Sequence, residues 1–562
     1  MASSLPSIPI FKAIKSHDPK SIAIIHSVSG RQFSYGELLS DVADARTKLR
    51  EQAKEARLTG QRVAFLAENG YDYVVTLLSI LGNDSIAVPL SSGFPANELK
   101  YIIENSEALM LLSSEKFHDR AQEVMKTDLQ TKPAFILVDK IRDDDRPVNE
   151  VQLEDSADSQ GGMMLYTSGT TSRPKGVLLP ESVLTAQALS LVEAWKYTTS
   201  DHLLHVLPLH HIHGTINALL TPLFAGSKIE FLFPFNVTAV WERLAAPYLA
   251  KNGESTKKDK ITFLTVVPTI YSRLLASHAS LSADVQEAAR KAISPENMRL
   301  NISGSAALPT PTKQAWTDLS GGNVLLERYG MTEVGMALSC GLDYKDRVDG
   351  SVGWPLPSVE ARLIDTETNE VIPIEEEIDN DGKEREGEIQ LRGPTIFKEY
   401  WRNPKATADE FIEGDDGKGR WFKTGDVATR RLVEAAGQSS QEWAKGPMYF
   451  IRGRKSVDII KTGGEKVSAL EIERELLSLP QIAEAAVVGL PSEQWGQKVA
   501  AVIVLNPEHA QSGRGGKTWG IMDMRRALKD KLANYKVPQE MKVVQDVNKK
   551  SLIKEVFGDV AR

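Results

Sequence analysis

The stretch Leu-Tyr-Thr-Ser-Gly-Thr-Thr-Ser-Arg-Pro-Lys-Gly-Val-Leu-Leu-Pro, residues 165–180, decides how the rest of the chain is interpreted. It follows a short apolar run and places hydroxyl side chains, glycines and two cations in one loop. Backbone N–H groups beside glycine, together with Ser and Thr hydroxyls, form an anion-binding concavity. We therefore predict a strand followed by a loop that binds the phosphates of ATP through Thr167, Ser168, Gly169, Thr170, Thr171 and Lys175.

This loop differs from the Walker loop, in which a hydroxyl residue follows the lysine and reaches Mg²⁺. Here Pro174 precedes Lys175 and Gly176 follows it. A solvated turn rich in Ser and Thr is the structural alternative, which the length and composition of the run disfavour. The run resembles the phosphate loop of the acyl-adenylate-forming (AMP-binding) superfamily, except that Ser172 stands where that pattern has glycine.

Length and composition predict a globular enzyme of several domains. The chain has 562 residues, of which 41% are hydrophobic and 25% charged, and its net charge is −8. The acidic balance and the lack of a long basic run argue against nucleic-acid binding. The single cysteine, Cys340, suits a reducing compartment. No apolar run is long enough to span a membrane, and no obligate protein partner is indicated. We expect a cytoplasmic enzyme, with the mitochondrion as the alternative because the first 20 residues weakly resemble a transit peptide.

Alternating helical and β-branched patterns predict an α/β fold with parallel sheets. Strands are expected at 62–68, 85–90 and 134–139, and helices at 35–51, 98–105 and 116–125. After residue 350 the pattern changes to short strands and turns, which predicts a small β-barrel-like subdomain. From residue 454 the pattern indicates a compact α+β unit. We predict an adenylation domain over 1–453, with two parallel-type sheets and the β subdomain, and a small mobile C-terminal domain over 454–562.

A second motif, Leu-Glu-Arg-Tyr-Gly-Met-Thr-Glu-Val-Gly-Met-Ala-Leu-Ser, occupies residues 326–339. A strand is expected to end at Leu326, after which Tyr329 offers an aromatic face for adenine and Gly330 permits close approach. Thr332 and Glu333 offer the oxygen ligands that Mg²⁺ prefers. The motif resembles the superfamily's Tyr-Gly-x-Thr-Glu segment, which implies ATP contacts from Glu327, Arg328, Tyr329, Gly330, Met331 and Thr332, and Mg²⁺ ligation by Glu333 with Thr170.

The third constellation, residues 299–309, suggests a site for the acid. Alternation along a strand places Arg299, Asn301 and Ser303 on one face. The loop formed by Gly304, Ser305 and Ala306 lets adenine lie on bare backbone. Arginine is the preferred planar partner of a carboxylate, although an arginine near a strand start is often solvated or salt-bridged instead.

Histidines 210, 211 and 213 lie within Leu-Pro-Leu-His-His-Ile-His-Gly, residues 207–214. A metal site is disfavoured because no further ligand cluster lies nearby in the sequence. A pocket that offers His211, His213, Arg299 and Ser303 suits a second carboxylate better than an alkyl chain, which needs an apolar lining.

Further site residues follow from the superfamily resemblance alone. Asp426 matches the acceptor for the ribose hydroxyls, and Arg454 lies at the domain boundary beside the nucleotide. Residues 458–473 resemble the glycine loop that lines the CoA tunnel. The implied hinge and CoA residues are Lys455, Ser456, Lys461, Gly463 and Gly464.

The motifs together resemble the malonyl-CoA synthetase group. This resemblance implies an ATP- and Mg²⁺-dependent acid–CoA ligase that joins coenzyme A to malonate or methylmalonate through an acyl-adenylate, with Thr167, Lys175, Thr332 and Glu333 as catalytic residues. Two alternatives stay open: a ligase for a medium-chain fatty or aromatic acid, and a non-catalytic adenylate binder.

The C-terminal segment departs from the family pattern. Relatives carry a Gly-Lys motif whose lysine bridges the carboxylate and the α-phosphate, and here the block that should hold it is absent between Asp546 and Val547. Lys549 or Lys550 is the nearest substitute. We therefore expect slow adenylation, with thioester formation from a supplied acyl-adenylate less affected.

Overall fold

A computed structural model describes the chain over residues 4–54, 56–142, 147–155, 159–167, 173–249, 258–455, 458–462, 465–492, 495–529 and 531–545. The predicted site residues Ser168, Gly169, Thr170, Thr171, Ser456, Gly463 and Gly464 lie outside these ranges, as does the segment containing Lys549 and Lys550.

The α-helices in the described ranges are α1 (Pro9–Ser16), α2 (Tyr35–Ala53), α3 (Tyr71–Gly82), α4 (Ala96–Ser106), α5 (His118–Met125), α6 (Glu181–Trp195), α7 (Thr221–Ala225), α8 (Val237–Ala245), α9 (Pro268–His278), α10 (Ala283–Ile293), α11 (Thr310–Leu319), α12 (Pro404–Glu410), α13 (Ala469–Leu477) and α14 (Ile521–Leu528). A π-helix spans His213–Leu220.

The strands in the described ranges are β1 (Ser4–Pro6), β2 (Ile22–His26), β3 (Gln32–Ser34), β4 (Arg62–Leu66), β5 (Ile86–Pro89), β6 (Met110–Ser114), β7 (Ala134–Val138), β8 (Gln152–Glu154), β9 (Gly162–Thr167), β10 (Lys175–Pro180), β11 (His202–His205), β12 (Lys228–Phe231), β13 (Phe263–Val266), β14 (Leu300–Ser303), β15 (Leu326–Met331), β16 (Gly335–Ser339), β17 (Trp354–Pro355), β18 (Glu360–Asp365), β19 (Val371–Ile372), β20 (Gly387–Arg392), β21 (Glu399–Tyr400), β22 (Phe411–Glu413), β23 (Arg420–Arg431), β24 (Met448–Arg454), β25 (Ile459–Thr462), β26 (Glu465–Ser468), β27 (Ile482–Ser492), β28 (Gly496–Leu505) and β29 (Glu540–Val543).

Two large sheets with parallel centres form the first part of the chain, as the alternating pattern predicted. One has the strand order β21-β10-β9-β5-β4-β6-β7 and the other β17-β16-β15-β14-β13-β11-β12-β2-β3. The inner strands β11 to β14 run parallel. They are buried because helices cover a parallel sheet, and β13 is buried along its whole length. The α/β fold class is confirmed.

The predicted β subdomain is an open sheet rather than a barrel. Its strands follow the order β19-β18-β20-β23-β22, and β24 pairs with β23. Among the described residues, no pairing joins β19 to β22 or β24 and closes the sheet. The strand-and-turn pattern predicted the antiparallel strands, but closure depends on long-range pairing that a local pattern does not encode.

A separate sheet begins at β25. It has the order β26-β25-β28-β27, with β29 beside β28. Its apolar side chains, including Ile460 and Val467, form a separate hydrophobic cluster with Ile472 of α13. Arg454 ends β24 of the preceding sheet, so a boundary at residue 454 is retained as a proposal.

Local signals account for helix α2. Its N-cap Ser34 accepts from the backbone N–H of Glu37, whose side chain accepts from the backbone N–H of Ser34, which forms a capping box. Leu38, Val42 and Leu49 lie on its buried face. No helix in the described part of the chain is both long and apolar enough to cross a membrane.

Candidate active site between the sheets

A cavity of about 880 Å³ brings most of the described candidate residues together. It opens beyond the carboxyl ends of β9, β14 and β15, where ligands bind in open α/β sheets. Residues of β10, β23, β24 and α13 complete its lining. Glu410, Lys423 and Arg474 line it as well, although the sequence analysis named none of them as site residues.

The reversal from β15 to β16 forms one wall. β15 continues to Met331, five residues beyond the predicted end at Leu326. Gly330 lies so close to the backbone of Gly335 that a Cβ atom would collide with its carbonyl oxygen. Glycine at this position therefore permits the tight reversal that presents Thr332 and Glu333 to the cavity.

Arg328 places a buried cation at the cavity wall. Arg328 is 3% exposed. Its Nη2 donates a hydrogen bond to Ser305 Oγ at 3.2 Å, whereas its Nε has no hydrogen-bond partner among the described residues. Burial lowers the pKa of the guanidinium to about 9. A Cβ on Gly304 would lie 2.5 Å from the Arg328 Cζ atom, so Gly304 makes room for this side chain.

The neighbouring Glu327 does not neutralise Arg328. Its Oε1 accepts from Lys313 Nζ at 2.8 Å, and both side chains are buried. Burial raises the pKa of the Glu327 carboxyl, while Lys313 opposes that rise. Among the described residues, no other carboxylate forms an ion pair with the Arg328 guanidinium either.

His213 lies next to this arginine. Its Nε2 shares a hydrogen bond of 2.6 Å with Thr265 Oγ1, and its Nδ1 lies 3.5 Å from Ser305 Oγ. Burial, and then the charge of Arg328, hold the pKa of His213 well below 6.5, so the ring is neutral. Ser303 and His211 also line the cavity. These groups form a polar pocket around one cation.

Arg299 does not reach this pocket, which corrects the prediction that it binds the acid. Its Nε and Nη2 donate to the two carboxylate oxygens of Asp201, each at 2.9 Å, and Nη1 donates to the Trp195 carbonyl at 2.9 Å. Arg299 precedes β14, whereas Ser303 ends it. At about 3.3 Å per residue, four residues separate the two ends of the strand by about 13 Å.

Tyr329, Asp426 and Arg454 meet at another wall. The Tyr329 hydroxyl donates to Asp426 Oδ2 at 2.5 Å, and Arg454 Nε donates to Oδ1 at 3.0 Å. Burial raises the pKa of the Asp426 carboxyl, while Arg454 opposes that rise. The residues predicted to hold adenine and ribose therefore lie within one bonded group.

The phosphate loop is flanked by two paired strands. Thr167 ends β9, Lys175 begins β10, and these residues face each other across the antiparallel pair. Both line the cavity. Lys175 Nζ lies 4.1 Å from the ring centroid of Tyr400, whose hydroxyl donates to Glu333 Oε1 at 2.9 Å. Tyr400 was not identified from the sequence, where the aromatic run around it had no family motif to mark it.

The chemistry of Glu333 fits a magnesium ligand. Glu333 is 6% exposed and lines the cavity, and one oxygen of its carboxylate accepts a hydrogen bond from Tyr400. No cluster of three metal-ligating side chains occurs within the described ranges. Mg²⁺ needs none, because it usually binds one or two carboxylates together with substrate phosphates and water.

The two described hinge and CoA candidates, Lys455 and Lys461, lie outside the cavity lining. The Lys455 backbone N–H donates to Gly425 O at 2.9 Å, and its Nζ lies 3.4 Å from Glu388. Lys461 is exposed on β25. By contrast, Ser305 and Ala306, which were predicted to contact adenine, do line the cavity.

Comparison with known proteins identifies the family. Residues 11–401 match the family described as AMP-binding enzyme, and residues 471–554 match the AMP-binding enzyme C-terminal domain. A protein named "CoA ligase" from Gibberella moniliformis is 57% identical, with 98% of this chain and 95% of that protein covered. The mitochondrial malonate–CoA ligase ACSF3 of Mus musculus is 39% identical, with 90% and 83% covered. The crystal structure of ATP-bound MatB from Rhodopseudomonas palustris is 29% identical, with a TM-score of 0.77 and 99% of each chain covered.

Proposed function

The chain belongs to the AMP-binding enzyme family, and we propose that it is an AMP-forming acid–CoA ligase whose acid is malonate or methylmalonate. The observation that carries the proposal is the buried Arg328, which lines the cavity and forms no ion pair with a described carboxylate. Burying an unpaired charge is unfavourable, so such a cation calls for an anionic ligand. The acid has two carboxylates: one reacts and Arg328 binds the other.

The first step joins the acid to AMP. An oxygen of the free carboxylate attacks the α-phosphate of ATP, the bond to the β-phosphate breaks, and pyrophosphate leaves. Both reactants are anions, so catalysis consists of positioning and charge stabilisation. Lys175 stabilises phosphate charge, while Tyr329 and Asp426 hold the nucleoside. Glu333 would hold magnesium together with the phosphates, and the ion would neutralise further charge there.

The second step forms the thioester. The thiolate of coenzyme A attacks the carbonyl carbon of the acyl-adenylate, and AMP leaves with the bonding electrons. Throughout, Arg328 and the neutral His213 hold the distal carboxylate. Because the His213 ring is neutral, it can donate a hydrogen bond to this carboxylate without adding a second buried positive charge beside Arg328.

The Gly-Lys block that is missing between Asp546 and Val547 affects the rate of adenylation rather than the type of reaction. This point of the chain lies outside the described residues. The proposal that adenylation is slow rests on the missing Gly-Lys block and is independent of the identity of the acid. The cytoplasmic location likewise stays a prediction, with the mitochondrion as its alternative.

The test is a panel of malonate, methylmalonate, succinate and octanoate with ATP and coenzyme A. AMP and thioester are both quantified, and reactions without coenzyme A serve as controls. We expect thioester formation with malonate or methylmalonate and little with octanoate. Faster turnover of octanoate would overturn the dicarboxylate assignment. Tight AMP binding without turnover of any acid would instead support a non-catalytic binder.

A further inference from the structure

Tyr400 is held beside β10, the strand that begins at Lys175. Its short strand β21 pairs antiparallel with β10, in which Val177 faces Tyr400. On either side, Trp401 N–H donates to Gly176 O at 2.8 Å and Lys398 N–H donates to Leu178 O at 3.0 Å. The backbone of Tyr400 therefore keeps a set position beside the start of β10.

The same segment is also attached to Glu333. Phe397 N–H donates to the Glu333 carbonyl at 2.7 Å. The Phe397 ring packs 4.8 Å from that of Tyr400 and 5.2 Å from that of Phe422, measured between centroids. This packing limits the rotation of the Tyr400 ring, because a buried side chain has few open rotamers.

The Tyr400 side chain joins a cation and an anion from distant parts of the sequence. Its ring lies 4.1 Å from Lys175 Nζ, within the range of a cation–π interaction. Its hydroxyl donates to Glu333 Oε1 at 2.9 Å. A carboxylate bonded through one oxygen has a fixed orientation and still offers the other oxygen to a cation.

We propose that Tyr400 is a positioning residue for the metal–polyphosphate end of the nucleotide: its hydroxyl orients Glu333 toward the metal, and its ring holds Lys175 in place until phosphate binds that lysine. Lys175 leaves the ring when phosphate binds, because a charged hydrogen bond to phosphate is stronger than a cation–π contact. The inference rests on the proposed ATP- and magnesium-dependent function.

The test measures nucleotide binding rather than turnover. Calorimetry gives the Kd of α,β-methylene ATP for the full chain, with magnesium and with a chelator. Tyr400→Phe keeps the ring and removes only the hydroxyl, so we expect Kd to rise about tenfold with magnesium and to stay unchanged without it. Tyr400→Leu also removes the ring, so binding should weaken under both conditions.

Two further variants separate positioning from general packing. Tyr197→Phe removes a buried hydroxyl that donates to Asn217 O, outside the cavity lining, and should leave both Kd values unchanged. In a Glu333→Gln background, Tyr400→Phe should lose most of its magnesium-dependent effect, as a double-mutant cycle requires for coupled residues. Additive effects of the two substitutions would overturn the proposal.

The outcomes distinguish this inference from the proposed function. Equal weakening of the Tyr400→Phe variant with and without magnesium, or no weakening at all, would overturn the positioning role. A wild-type chain whose nucleotide affinity ignores magnesium would overturn it too. A wild-type chain that binds the analogue in a magnesium-dependent way but converts no dicarboxylate would contradict the proposed function alone.

Discussion

The role of Arg328 gives the sharpest prediction, and Arg328→Met is the substitution that tests it. Methionine keeps most of the length of the side chain and removes its charge and its hydrogen-bond donors. If the guanidinium binds the second carboxylate, malonate loses its charge partner in a buried pocket. Propionate, which has a single carboxylate to react, loses little.

The magnitude follows from burial. Arg328 is 3% exposed, and breaking a buried ion pair typically costs about 3–5 kcal/mol. Each ~1.4 kcal/mol is a factor of ten. We therefore expect kcat/KM for malonate to fall between about a hundredfold and a few thousandfold, with the value for propionate within about threefold of wild type.

The same substitution should not destabilise the free protein. The guanidinium is buried without a described carboxylate partner, and burial lowers its pKa to about 9. Replacing buried charge with an apolar side chain is often neutral or stabilising by about 1–4 kcal/mol. We expect the unfolding free energy of Arg328→Met to be unchanged or higher, a trade of stability for function.

Malonate-dependent AMP release and urea denaturation provide the two readouts. Arg299→Met is the matched control, because it removes an arginine outside the cavity lining that is already paired with Asp201. The control should retain malonate activity and lose about 1–2 kcal/mol of stability, since the Arg299 side chain is about a third exposed. Malonate activity of Arg328→Met within tenfold of wild type, or equal losses on both acids, would refute the assignment.

Three other outcomes are expected. Lys313→Met leaves Glu327 buried without its cation, so the unfolding free energy in urea should fall by about 3–5 kcal/mol; a change below about 1 kcal/mol would contradict the pairing. Burial lowers the pKa of His205 from 6.5 to about 4. As the pH falls below 6.5, the histidine takes up a proton in the unfolded chain but not in the folded one, so the folded protein loses stability. Between pH 7 and 5 the wild type should therefore lose about 2 kcal/mol more than His205→Gln, as measured by urea denaturation at both pH values. Inserting the family's Gly-Lys block after Asp546 should speed malonate-dependent pyrophosphate exchange about a hundredfold and change thioester formation from supplied malonyl-adenylate little; equal exchange rates would show that the block is dispensable.

Much of the fold could be predicted because its signals are local. The expected helix at 35–51 corresponds to α2, and the expected strands at 62–68 and 134–139 correspond to β4 and β7. Boundaries were less accurate: the strand expected to end at Leu326 continues to Met331, where pairing with β16 extends it. That pairing joins two segments through a tight reversal, which a period-two pattern does not reveal.

The candidate site was predicted unevenly. The phosphate-loop and Tyr-Gly-x-Thr-Glu motifs are continuous in sequence, and the described site residues that they supplied line one cavity. Arg299 was placed at the acid because alternation puts it on the same strand face as Ser303. The alternation assigns a strand face but does not say at which end of the strand a residue lies. Arg299 lies at the amino end of β14, where it pairs with Asp201.

The sequence alone determined the family chemistry of this protein, because each motif is a short run whose backbone and side chains act together. It predicted adenine, ribose and phosphate contacts at named residues, and it predicted an acid with a second anionic group. Only the tertiary structure decided that Arg328 lines the cavity while Arg299 does not, and that Tyr400 links Lys175 to Glu333. The reason is physical: whether a charge is paired or open to a ligand depends on neighbours from other strands, and the packing of the sheets brings those neighbours together.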